Sequence, residues 1–125
     1  MARILIVDDE KIVRDLLRTV LENEGHTVDE VTDGQDAIDR NASHDYDVAI
    51  VDLILPRKNG LDTVIEMRAR KPALRFVVMT GALPALLDKN RNMDDLLGHV
   101  VKLTKPMRPT DLLRAVREAL AAHVG

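Results

Sequence analysis

The chain contains no cysteine and no tryptophan, and its 125 residues include one tyrosine, Tyr46, and one phenylalanine, Phe76. Without thiols, disulfides, thiolate metal sites and thiol catalysis are excluded. Two aromatic rings do not make a stacking platform for bases or sugars, and a core must be assembled from Val, Leu, Ile, Ala and Met. A basic surplus is also missing. Lys and Arg number 18 against 21 Asp and Glu, a formal charge of −3, whereas a dedicated nucleic-acid binder carries a basic footprint. No apolar run is long enough to span a bilayer and no leader-like segment opens the chain, so a cytoplasmic protein with no membrane and no direct nucleic-acid partner is expected. The four histidines, His26, His44, His99 and His123, fall at element edges with no shared spacing. Neither a histidine metal site nor a phosphohistidine relay is expected of them.

What is present is an ordinary globular mixture, 46% hydrophobic and 31% charged, with a length that implies one domain, 1–125. Short continuous apolar runs, "RILIV" (3–7), "VAIVD" (48–52) and "RFVVMT" (75–80), have the character of strands buried on both faces. "HTVDEV" (26–31) and "HVVKL" (99–103) are weaker strand candidates. Helical patterns separate them. Ile12, Val13, Leu16, Leu17, Val20 and Leu21 recur at 3.6-residue spacing before Gly25, with Ile12 at the edge of a wide apolar arc. A short helix opens at Asp33 or Gly34 and runs through Ile38. Another covers 60–70, with Leu61, Val64, Ile65 and Arg68 at helical spacing and Pro72 beyond its end. "RPTDLLRAVREALAAHV" is a last helix with Pro109 in its first turn. Residues 81–98, broken by Pro84, "DKNRN" and Gly98, are the least regular.

The alternation predicts an α/β domain: a doubly wound parallel sheet of five strands in the flavodoxin-like order 2-1-3-4-5, with five flanking helices. Ligands of such sheets bind beyond the carboxyl ends of the strands, where strand order reverses. Strand 1 delivers Asp8 and Asp9 to that rim, strand 3 delivers Asp52, strand 4 Thr80, and strand 5 is followed by Thr104, Lys105 and Pro106. Three clustered carboxylates raise one another's pKa unless a cation compensates them. Mg²⁺ prefers oxygen ligands and takes one or two carboxylates. A strand-end carboxylate is also a potential nucleophile that forms an aspartyl-phosphate, and Asp52 is the central one. Glu10 reads as a first-turn helix acid favoured by the macrodipole.

These residues resemble the response-regulator receiver domain of two-component signalling over essentially the whole chain. The resemblance is carried by Asp8-Asp9, "DLILPRKNG" (52–60) around Asp52, Thr80-Gly81 and Lys105-Pro106. It implies a phosphorylation-switched module that catalyses only its own phosphorylation and slow dephosphorylation. Asp52 would accept a phosphoryl group from a sensor histidine kinase or a histidine phosphotransfer protein. Asp9, Asp52 and the backbone carbonyl of Ile54 would bind Mg²⁺, with Asp8 acting mainly through water. Lys105 would pair with a phosphate oxygen, and Thr80 would move to hydrogen-bond the phosphoryl group. The change would reach the face of the fourth helix, fifth strand and fifth helix, where a downstream protein or a second copy binds. Lys105-Pro106 would be a cis peptide, and Ile12 and Pro106 are candidate kinase contacts. With the last helix ending near the C-terminus, no output domain is expected within this chain.

Some positions depart from the family's pattern. Lys102 occupies the switch position on strand 5 where Tyr or Phe is usual, so an aromatic rotamer cannot report activation. The stretch from Thr80 to Lys105 is a few residues longer than usual, and Met107 stands where Phe is common. Ile54 and Ala82, two residues after Asp52 and Thr80, are apolar and cannot orient a hydrolytic water, which implies slow self-dephosphorylation. An alternative is a pseudo-receiver, an interaction module with the same fold that is never phosphorylated. A haloacid-dehalogenase-type phosphatase would need a second Asp two residues after the first, and that position is Ile54. Lys89, Lys102, Arg108, Arg114 and Arg117 cluster near the expected output face, where a solvated charged face is the default.

Overall fold

Ile4, Leu5, Ile6 and Val7 form a run with no polar face, and a strand of that kind needs cover on both sides. In a computed structural model that describes residues 1–81 and 97–122, with Thr80 described by its backbone alone, that cover is present. The described elements follow as β1 (Arg3–Val7), α1 (Lys11–Asn23), β2 (Thr27–Val31), α2 (Gly34–Ser43), β3 (Val48–Asp52), α3 (Gly60–Arg70), β4 (Arg75–Thr80), β5 (Val101–Thr104) and α4 (Pro109–Ala121). The strands make one parallel sheet in the order β2-β1-β3-β4-β5, as the alternation predicts. Among the described residues there are four helices rather than five. α4 is the fifth helix of the expected order, and the expected fourth, with Ala82 and Lys89, falls at 82–96, outside the described residues.

Alternation along each strand splits the core in two. Leu5, Val7, Ala49, Val51, Phe76 and Val78 face Ala37 and Ile38 of α2 and Val64 and Met67 of α3. Ile4, Ile6, Val48, Ile50, Val77 and Met79 face Leu17 and Leu21 of α1 and Leu112, Ala115, Val116 and Ala119 of α4. The apolar arc of α1 is wider than its buried stripe: Leu17 and Leu21 are fully buried, while Ile12 is 84% exposed.

Capping explains where two of the helices start. Asp33 accepts the amide of Asp36 (2.9 Å) and Asn59 accepts that of Asp62 (2.9 Å), caps each worth about 1 kcal/mol. α2 extends to Ser43, five residues past the Ile38 limit suggested by sequence. Its last turn is polar in composition, yet Asn41 is fully buried, so apolar periodicity ends before the helix does.

The lone tyrosine ties the α2–β3 connection to the sheet edge. Tyr46 is 8% exposed and its hydroxyl donates to Asp29 Oδ2 on β2 at 2.5 Å. Burial, together with the bond to Asp29 and that residue's charge, pushes the phenol pKa up to about 12. The neutral phenol is therefore favoured by folding. Its contribution to stability is complete below the ordinary value near 10 and is lost as pH rises from there to about 12. An ultraviolet titration reads this residue without interference from other tyrosines. Its midpoint is expected near 12 in the folded protein and closer to 10 in D29A; a midpoint near 10 in the parent would disprove the coupling.

Candidate functional site

The order reverses at β1, which lies between β2 and β3. Beyond its carboxyl end and that of β3, two buried carboxylates are held in the same way. Asp8 is fully buried and Asp52 is 4% exposed. Asp8 Oδ1 accepts the amide of Glu10, two residues on, at 2.8 Å, and Asp52 Oδ1 accepts the amide of Ile54, also two residues on, at 2.9 Å. Each Oδ2 accepts the ammonium of Lys105, at 2.8 Å for Asp8 and 2.7 Å for Asp52. Lys105 arrives from the residue after β5 and is followed by a cis peptide bond to Pro106.

A third carboxylate meets the same ammonium. Glu10 is the N-cap of α1 but makes no side-chain cap bond; its Oε1 accepts Lys105 Nζ at 3.2 Å. This corrects the reading of Glu10 as a simple first-turn acid. The partner of its side chain is a lysine 95 residues away rather than the helix terminus. Asp9 is exposed, and its carboxylate has no hydrogen-bond or ion-pair partner among the described residues.

The electrostatics follow from this sharing. Burial pushes the Asp8 carboxyl pKa up, and the bonds from Lys105 and the Glu10 amide recover only part of that cost. For Lys105, burial pulls the pKa down, yet the bonds and charges of Asp52 and Asp8 together outweigh it and leave the ammonium above its ordinary value. The lysine gains from several carboxylates, whereas Asp8 has one ammonium and must share it.

The donor set fits a hard divalent cation. One carboxylate oxygen each from Asp8, Asp9, Glu10 and Asp52 lie within 4.8 Å of one another. Mg²⁺ takes oxygen ligands, usually one or two carboxylates with waters. Asp9 is the carboxylate with unused capacity, and the Ile54 carbonyl accepts no hydrogen bond among the described residues. Among those residues no histidine joins a metal-ligating cluster.

The loop after Asp52 is set by backbone contact. A Cβ on Gly60 would lie 2.2 Å from the Asp52 carbonyl oxygen, and one on Gly34 would lie 2.4 Å from that of Lys58. Only glycine permits those approaches. Arg57, at φ 63°, reaches from this loop to Asp33 (3.2 Å) and Asp36 (3.5 Å) at the start of α2. That clasp has no signature in sequence, because a loop arginine ordinarily reads as solvated. Thr80 ends β4 in register with Thr104, while its side chain lies outside the described residues. Lys102 is exposed on β5, paired in register with Val78. Thus Asp8, Asp9, Asp52 and Lys105 are brought together with Ile54 beside them, and Lys102 lies apart.

A doubly wound parallel sheet that gathers four acids and a lysine at its switch point defines a flavodoxin-like domain built around an acid pocket. This chain belongs to the response regulator receiver domain family, which matches residues 4–117, a class of signalling module in two-component systems rather than a classical enzyme. It is 32% identical over 124 residues to the response regulator SaeR of Staphylococcus aureus, covering 96% of this chain and 51% of SaeR. The chain therefore spans about half the length of the curated relatives it matches. A CheY-like response regulator receiver domain protein from Methanospirillum hungatei JF-1 superposes with a TM-score of 0.85 at 25% identity, covering 96% of this chain and 94% of that one. The chemotaxis protein CheY4 of Vibrio cholerae shares the fold with a TM-score of 0.84 at 24% identity, covering 96% and 99%.

Removing one partner of a buried ion pair strands the other, at a cost of about 3 kcal/mol. Lys105→Met is expected to destabilise the protein by that order in urea unfolding with EDTA present. Adding Asp52→Asn should recover at least half, since it removes one of the stranded charges while keeping an acceptor for the Ile54 amide. A K105M protein as stable as its parent would show that the bridge contributes no net stability.

Proposed function

We propose that the chain is a phosphorylation-switched receiver, a single domain over 1–125, in which Asp52 is the phosphoryl acceptor. One observation carries this reading: a nearly buried strand-end carboxylate whose oxygens accept a backbone amide and the Lys105 ammonium, with an unpartnered acid beside it. Asp9, Asp52 and the Ile54 carbonyl would hold Mg²⁺, with Asp8 acting mainly through water. When bound, the ion supplies neutralisation of negative charge on the phosphoryl oxygens.

The donor is a phosphohistidine of a sensor histidine kinase or a histidine phosphotransfer protein. A carboxylate oxygen of Asp52 forms the new bond to phosphorus, the phosphorus–nitrogen bond breaks, and the imidazole leaves with its electron pair and takes up a proton. Lys105 exchanges its Asp52 contact for a phosphoryl oxygen, which the added negative charge favours. Thr80 is the hydroxyl that closes on the phosphoryl group. The altered face comprises β5, α4 and the expected helix within 82–96, and it receives a downstream protein or a second copy in the cytoplasm. Lys102 is exposed where the family places an aromatic, so a ring turning inward cannot report the change.

Incubation with acetyl phosphate and Mg²⁺ tests the acceptor. Intact mass is expected to rise by one phosphoryl group in the parent and to stay unchanged in Asp52→Asn. No gain in the parent would favour a pseudo-receiver that works by binding alone. Ile54, 54% exposed and apolar, offers no group to orient an attacking water. The phosphorylated protein is therefore expected to lose its label slowly, and Ile54→Asn to lose it several-fold faster. A half-life of seconds in the parent would contradict this.

A further inference from the structure

We propose that Arg14 and Glu30 are positioning residues for the divalent-cation pocket, holding the Asp8–Asp9 peptide so that Asp9 is presented to the cation. The inference rests on the reading of Asp9 as a ligand. Arg14 lies in α1, yet its side chain turns back toward the start of the helix. Its Nη1 donates to the Asp8 carbonyl oxygen at 2.9 Å and its Nε donates to Glu30 Oε1 on β2 at 3.0 Å. The two side chains are 14% and 20% exposed, well below what a solvated helix-surface pair shows. Glu30 is held from its other side as well. Its Oε2 accepts Arg18, which also donates to the Val28 carbonyl at 3.0 Å.

Elsewhere, Asp8 has no freedom to spare. Its amide donates to the Val31 carbonyl at 3.2 Å, and both carboxylate oxygens are engaged by the Glu10 amide and Lys105. The remaining soft rotation is about its Cα–C bond. Because the peptide is planar, the direction of the Asp8 carbonyl fixes the Asp9 amide and Cα. Arg14 fixes that direction, and its rigid fork ties the carbonyl to β2 through Glu30.

The sign of the effect separates positioning from charge. Arg14 is a cation beside a cation site, so by Coulomb's law alone its removal would tighten divalent binding. Positioning demands the opposite. Calorimetric titration of the full chain with MgCl₂ is therefore informative, with unfolding midpoints in EDTA measured alongside. R14M is expected to bind Mg²⁺ about tenfold more weakly, the usual scale for residues that orient metal ligands. E30A, which frees the guanidinium, is expected to weaken binding similarly, and E30Q, whose amide oxygen still accepts from Arg14, to stay close to the parent. Should R14M fail to fold, the E30A and E30Q pair decides: weak and near-parental binding respectively uphold the proposal, and equal binding overturns it. Tighter or unchanged binding by folded R14M also overturns it while leaving the function reading intact. A parent that binds no Mg²⁺ overturns both.

Discussion

The contact between one ammonium and two buried carboxylates organises this molecule. Asp52 ends β3, while Asp8 and Lys105 directly follow β1 and β5, and a charge buried in any of these places needs a partner. Asp8 has no exposed surface, and an uncompensated buried carboxylate costs several kcal/mol. The ammonium removes part of that cost for both acids at once. It also keeps β1, β3 and β5 in fixed relation at their carboxyl ends, although β1 and β5 are not neighbours in the sheet. Lys105 is therefore shared among three carboxylates, those of Asp8, Asp52 and Glu10.

Around that contact, backbone geometry does what side chains cannot. The i+2 amides on Asp8 and Asp52 turn the chain immediately after each strand, so both carboxylates point across the same gap. Gly60 lets α3 start against the Asp52 carbonyl, and its amide donates to the Leu53 carbonyl at 3.0 Å. Arg57 then fastens the outer part of the same loop to the start of α2. β3, the loop after it and the starts of α2 and α3 are in this way coupled through short contacts.

Much of this was legible in the sequence, for physical reasons that can be named. β1, β3 and β4 are buried on both faces, so each contains an unbroken run of four apolar residues, 4–7, 48–51 and 76–79, that marks the strand. The acids and Lys105 were legible as a rim because strand ends in a parallel sheet share one edge. Glu10 was not, since its partner is distant in sequence and its position mimics an ordinary helix start. Arg14 was hidden for a similar reason: on an amphipathic helix an arginine belongs to the wet face, and only its 14% exposure distinguishes it. The end of α2 was missed because its buried residue there is Asn41 rather than a hydrocarbon.

The pKa directions show what this pocket costs the resting fold. Asp8 holds its proton more readily than a free aspartate, so its contribution to stability is present below the ordinary carboxylate range and is lost as pH rises through the folded value. Burial therefore disfavours the ionised form of Asp8 relative to the neutral acid. Lys105 opposes this through its hydrogen bond to and charge beside Asp8, and its own pKa is raised by Asp52 and Asp8. An arrangement in which one cation only partly repays its acids retains a standing preference for more positive charge at one point. A divalent ion would meet that preference, and Asp9, alone among the pocket's acids in having no partner among the described residues, is where the pocket reaches solvent.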